Sequence, residues 1–357
     1  MLHNNNTPLA AIGFEQWHPN GATMAVISAR GRIRIEEAGL QYFEDGVDLV
    51  LADEFAGDPH KTAMLRCNDL IPFKPSADIT LNANLYGQES SRFLQGTVRI
   101  GDRHVAIRGC GPRHWYHDDR WRLSTPDPIS ELHLCYTRAT GGRVVGHPDG
   151  DADPRNPIGT GVIHPDYTPK TVEVRAPQIV SGTDAASLNP EIPPDPAGFG
   201  PVSPWWQARQ QYVGTYDDNW IANVHPRLPI DFDYRHYQVA HPDLVLPHYL
   251  LPGMVLQTEG LRPNGQNIDI HIPDVVPYAR FGFTDGREVP VRLHLDGMHL
   301  DLTTPVPTYD LTWRAWIEIC PAFYRVDLDM ARSARVAAMS LPVSGTDGLV
   351  EDKFALA

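Results

Sequence analysis

Lysine is nearly missing from this chain. Lys61, Lys74, Lys170 and Lys353 are the only four, so the other 26 of the 30 basic residues are arginine. Set against 44 acidic residues, they leave a formal charge of −14. Such a surface repels phosphate backbones and argues against nucleic-acid binding. Arginine forks suit fixed partners such as buried carboxylates, although a biased genome composition gives the same skew. Cysteine is scarce as well. Cys67, Cys110, Cys135 and Cys320 show no short paired spacing, which argues against a zinc cluster or a redox CxxC pair. They read as small apolar residues in a reducing compartment. No Lys or Arg precedes Arg30, and nowhere do 18 apolar residues follow one another. The expectation is a soluble, cytoplasmic chain with no secretory signal and no membrane span.

Standard catalytic signatures are lacking too: there is no GxSxG elbow, Walker loop, HExxH or dinucleotide fingerprint. Their absence leaves spatial constellations open.

Proline is abundant, at 33 of 357 residues, with 29 glycines beside it. Breakers at that density exclude a mainly helical protein or a coiled coil. A hydrophobic content of 42 %, with 8 Trp, 13 Tyr and 11 Phe, argues against wholesale disorder. Period-two alternation dominates and predicts a mainly β, sandwich-like protein of antiparallel sheets. Ile79, Leu81, Ala83 and Leu85 alternate with polar residues, as do Ile268, Ile270 and Ile272, and Leu311 through Ile319. Hairpin turns are expected at Arg30-Gly31, at Gly101-Asp102 with Val98 facing Val105, and most clearly at Asp296-Gly297. That last turn sets Val291, Leu293 and Leu295 against Leu302, Leu300 and Met298. Twelve prolines between Pro148 and Pro204 predict an ordered, rigid coil over the sheets rather than a flexible linker. The implied division is an N-terminal β region (1–145), the Pro-rich coil (146–204) and a C-terminal β region (205–357), or one continuous domain. Helix is confined to a short piece from Pro204 to Tyr212 capped by Ser203, and a longer one from Asp327 to Ser340.

Two clusters could carry metal chemistry. His114 and His117, followed by Asp118 and Asp119, would share a metal on a helix, but on a strand they point to opposite faces. Asp149-Gly150-Asp151-Ala152-Asp153 mimics the start of a calcium loop, yet Pro154 replaces its glycine and Thr160 its bidentate glutamate. No metal or other cofactor is expected. The segment from Asp195 to Asp243 stands out instead, because Gly, Pro, Trp, Tyr and Arg interleave there as at interface hot spots. Trp206 and Arg209 would be neighbours on one helical turn, with the guanidinium stacked on the indole.

These residues, with Phe73-Lys74-Pro75-x-x-Asp78, Gly111-Pro112-Arg113-His114-Trp115, Leu134 to Gly142, Asn156 to Gly161 and Trp313-Arg314, follow one another in an order similar to that of the type VI secretion adaptor family. Members of that family are encoded beside PAAR and VgrG spike genes. The resemblance covers roughly residues 70 to 320. The sequence departs from the pattern at Gly253-Met254-Val255, where the family has Gly-x-Glu. The resemblance implies an accessory protein rather than a catalyst, with a PAAR-domain effector and the VgrG spike protein as partners. The candidate partner-binding residues are Arg113, Trp115, Phe199, Trp206, Arg209, Tyr216, Asp217, Trp220, Asp231, Phe232, Asp233 and Tyr237. A metal-assisted hydrolase built on His114, His117 and Asp118 or Asp119, and a carbohydrate-binding β module, are the alternatives.

Overall fold

The structure is a computed structural model that describes residues 2–36, 41–147, 150–164, 166–181, 185–186, 188–190, 192–319, 322–339 and 341. The protein is mainly β, with several antiparallel sheets and three short α-helices among those residues. At its centre, strand Thr23–Ile35 pairs along eleven residues with Thr308–Glu318, Arg34 opposite Thr308 and Met24 opposite Glu318. Ala10–Trp17 flanks one side of this pair. His294–Asp301 and then Asp78–Asn82, the latter parallel, complete the other.

A five-stranded sheet runs Ile179–Ser181, Arg103–Cys110, Phe93–Ile100, Val255–Glu259 and Ile268–His271. A four-stranded sheet runs Leu2–Asn5, Phe323–Ala331, Val276–Phe283 and Glu288–Arg292. One apolar cluster draws on all three sheets: Ile27, Leu311 and Trp313 from the first, Val98, Ile100 and Leu256 from the second, Phe281, Val326 and Leu328 from the third. The alternation that predicted these strands reflects the face turned to this cluster, while in the two central strands the opposite face is buried as well.

The turn at Gly101-Asp102 is present, with Val98 opposite Val105. The other two expected hairpins are not. Arg30-Gly31 lies inside the unbroken strand Thr23–Ile35, and Asp296-Gly297 inside His294–Asp301, where a bulge absorbs the extra residue between Leu295 and Gly297. Val291 belongs to a different sheet. In both cases the polar residue is not a solvated turn but a buried charge, as shown below.

The Pro-rich coil contributes no strand longer than three of its described residues. It is nonetheless packed: Ala197, Phe199 and Val202 are buried, and the Phe199 carbonyl accepts from the Leu81 amide at 2.6 Å. Helix is shorter than expected. Near Trp206 it is reduced to Gln207–Gln210, and the Ser203 hydroxyl caps nothing. Asp327 lies in strand Phe323–Ala331, whose Val326 and Leu328 alternate into the core, and helix forms only over Ser333–Ala338. Tertiary burial overrides the helical composition there. Cys67, Cys110 and Cys135 are free thiols. Cys320 and the tail from residue 342 lie outside the described residues.

Candidate partner-binding surface

The central sheet carries charge where a core should be apolar. Arg30 and Arg314 project from adjacent central strands, and Asp310 lies opposite Arg32. Asp310 accepts from Arg32 Nε at 2.7 Å and also from Arg30 Nη2. The other terminal nitrogen of Arg30 donates to Asp69 at 3.2 Å. Arg314 reaches Asp296 at 2.5 Å and lies 3.8 Å from Asp69. Asp296 also accepts from the Lys74 amide at 3.2 Å, and Lys74 Nζ donates to Asp78 at 2.6 Å. Asp78 then takes the amides of Val239 at 2.5 Å and Ala240 at 3.3 Å.

Four aspartates face Arg30, Arg32, Lys74 and Arg314, and each carboxylate accepts from at least two donors. Burial raises the Asp296 carboxyl above its usual range, against the pull of Arg314 and Lys74. Burial acts on Asp310 in the same sense, but the bond from Arg32 and the charge of Arg30 outweigh it and hold that carboxyl low. His299, bonded to Thr80 Oγ1 at 2.8 Å, is pushed by burial down to about 4. A cavity of about 40 Å³ lies among these groups, room for no more than a few waters. Arginine does here what its abundance suggested: its forks hold buried carboxylates. Arg30, Asp69, Asp296 and Asp310 escaped the sequence reading. The available signal was charge at alternate positions of otherwise apolar strands, as in Arg30-x-Arg32 and Asp310-x-Thr312-x-Arg314.

Half of the expected binding residues are interior. Phe199 and Trp206 are buried in the main core, Trp206 edge-on to Tyr136 at 5.0 Å. Arg209 does not stack on that indole. It is buried and donates to the carbonyls of His236 at 2.8 Å and Val202 at 2.9 Å. Arg113 likewise donates to the carbonyls of Pro177 at 2.9 Å and of Ala185. Burial lowers the pKa of both guanidinium groups. Trp115 is buried in a second apolar cluster with Val174 and Ala176, and Phe232 is buried against Tyr234 and Tyr237. These six are buried, out of a partner's reach.

The remaining six lie in a lobe spanning residues 212–237. Gly214 opens it in the left-handed region (φ +77°), and a Cβ there would stand 2.8 Å from the Asp231 carboxylate. Asp231 closes the base by accepting from the Thr215 amide at 3.0 Å and its hydroxyl at 2.7 Å. Asp217 caps helix Asp218–Asn223 through the Trp220 amide at 2.8 Å. Trp220 Nε1 donates to the Arg227 carbonyl at 2.9 Å, and Tyr216 packs edge-on against the indole at 4.6 Å. Asp233 caps the next turn, with Arg235 laid over the Tyr212 ring. Tyr237 packs on Tyr234 at 6.0 Å, and Tyr234 stacks on His18, which sets the lobe against the end of strand Ala10–Trp17. With these carboxylates and the Trp220 indole engaged, the lobe leaves apolar side chains in solvent: Ile230 is 74 % exposed, Ile221 63 % and Tyr216 52 %.

The possible metal sites do not assemble. His114 and His117 lie on one strand. His114 faces Glu173 at 3.3 Å, while His117 packs on Trp121. Asp118 and Asp119 are both held by Arg122. Of the calcium-like loop, Asp149 lies outside the described residues, and Asp153 is bonded to Arg155 at 2.7 Å. Among the described residues no group of three or more His, Cys, Asp or Glu is placed to hold a metal ion. No described helix is long and apolar enough to cross a membrane.

Comparison with known families gives a match over residues 20–314 to the family described as uncharacterized protein conserved in bacteria, DUF2169. The chain belongs to that family. The matched span includes the central charge network up to Arg314 and the whole lobe, so both regions of this DUF2169 protein lie within the family domain. No curated protein and no solved structure matches the chain.

Proposed function

We propose that this DUF2169 protein is a non-catalytic adaptor of the type VI secretion system. In this reading it holds a PAAR-bearing effector in the donor cytoplasm and helps load it on the VgrG spike. The observation that carries the reading is the lobe: exposed Ile221, Ile230 and Tyr216 on turns fixed by Asp217, Asp231 and Trp220. Apolar side chains held rigidly in water bind with little ordering cost, which is what a preorganised docking surface requires. The order of sequence motifs similar to that of type VI adaptors supplies the identity of the partner.

Co-expression tests it. A PAAR-bearing effector co-expressed with this chain should gain soluble yield and co-elute with it in size-exclusion chromatography. Separate elution at micromolar concentration, with unchanged effector solubility, overturns the proposal.

A further inference from the structure

Sheet edges differ sharply in how well they are protected. The outer strand Glu288–Arg292 contains Pro290, and Leu2–Asn5 is short and polar. Asp78–Asn82 is covered, because Leu246 donates to the Ala77 carbonyl and Leu81 to that of Phe199. Ala10–Trp17 has none of these defences. Its eight residues, AAIGFEQW, include no proline and no lysine, and among the described residues no strand pairs with its outer side. An unprotected edge of this length is a template for an added strand.

The backbone direction can be read from the register. His18 donates its amide to the Ala22 carbonyl at 2.8 Å, and Trp17 lies opposite Thr23. Alternation along an antiparallel ladder then turns the amides and carbonyls of Ala11, Gly13, Glu15 and Trp17 away from Thr23–Ile35. The far end of this edge meets the lobe. Phe14 packs in the cluster that includes Tyr234, and His18 stacks on Tyr234 at 5.9 Å. The local net charge is negative: the lobe carries four aspartates against two arginines, and Glu15 is exposed on the edge itself.

We infer that Ala10–Trp17 is the docking edge for an extended, basic segment of the partner polypeptide, which adds to the central sheet as a further strand. Main-chain bonds to Ala11, Gly13 and Glu15 supply affinity. The acidic lobe selects positive side chains, and the charge of −14 disfavours a second copy of this chain as occupant. The inference rests on the adaptor reading and adds to it a place and a partner chemistry.

The test uses this chain with the PAAR-bearing effector that co-elutes with it, followed by hydrogen exchange. The amides of Ala11, Gly13, Glu15 and Trp17 should gain protection in the complex. Gly13→Pro removes one outward amide and leaves the ladder to Thr23–Ile35 intact; it should weaken the complex about tenfold. Glu15→Lys, which leaves the backbone untouched, should weaken it too and reduce its sensitivity to salt. If the complex forms while these amides exchange freely and both variants bind like wild type, the docking edge is wrong and the adaptor reading stands. If no complex forms, the adaptor reading fails and takes the edge with it. Protection of the same amides by concentrated protein alone would assign the edge to self-association and overturn the partner.

Discussion

The charge network and the lobe are both rich in aspartate, yet they use it in opposite ways. In the network, Asp69, Asp78, Asp296 and Asp310 are buried and neutralised by arginine and lysine, so long side chains lock strands and loops together. In the lobe, Asp217 and Asp231 stay at the surface, bond to backbone amides of their own turns and need no countercharge. The first arrangement makes a scaffold that tolerates little change. The second fixes a short segment cheaply and leaves its apolar side chains free to touch something else.

Breaking the network should have the largest effect. Arg314→Met leaves the Asp296 carboxylate buried without its guanidinium partner and is expected to cost about 3–5 kcal/mol in urea unfolding. Replacing Asp296 by Leu in the same chain should recover much of that loss, because the pair rather than either charge is what the fold accommodates. A single-variant loss below about 1 kcal/mol would show that the network contributes no more than a surface pair.

Acid should probe the same region through His299. Its folded pKa of about 4 lies below the ordinary histidine value of 6.5, so between those limits the unfolded chain binds the extra proton. Stability from this group is complete above about pH 6.5 and is lost as pH falls toward 4, by at most about 3 kcal/mol. Stability measured across that window should fall less steeply for His299→Gln.

The lobe should respond more mildly. Asp217→Ala is expected to cost about 1 kcal/mol and to speed amide exchange in Asp218–Asn223 while the central sheet stays protected. Smallest of all in stability, Ile230→Ser should shift unfolding by less than about 0.5 kcal/mol. That same variant should nonetheless weaken co-elution with the effector. An Ile230→Ser chain that binds normally would remove this residue from the docking surface.

The fold class was legible because alternation marks the face that meets the apolar core, as Val98 opposite Val105 shows; along Leu311 to Ile317 the residues between are buried as well, on the other face. Asp296-Gly297 and Arg30-Gly31 were misread for one physical reason. A charge beside glycine is the mark of a solvated turn, and nothing local reveals that a partner 280 residues away, as Asp310 is from Arg30, will neutralise it. The binding residues were half legible. Aromatic, glycine and proline content marked the right segment, but it could not separate Trp206 and Arg209, which fasten the coil from inside, from Tyr216 beside the exposed Ile221 and Ile230. Composition counts rings and guanidinium groups without saying which side of a turn they occupy.

The pairing of Thr23–Ile35 with Thr308–Glu318 also governs how the molecule comes into being on the ribosome. At roughly 5–20 residues per second, Arg30 emerges on the order of 15–60 s before the carboxylate that will hold it. For that interval the longest strand of the central sheet can pair with Ala10–Trp17 and Gln41–Phe43 on one side, while the side that will meet Thr308–Glu318 stays open. The chain therefore passes its own synthesis with one side of its main sheet unpaired, and slow, late closure of that sheet is the expected signature of its folding.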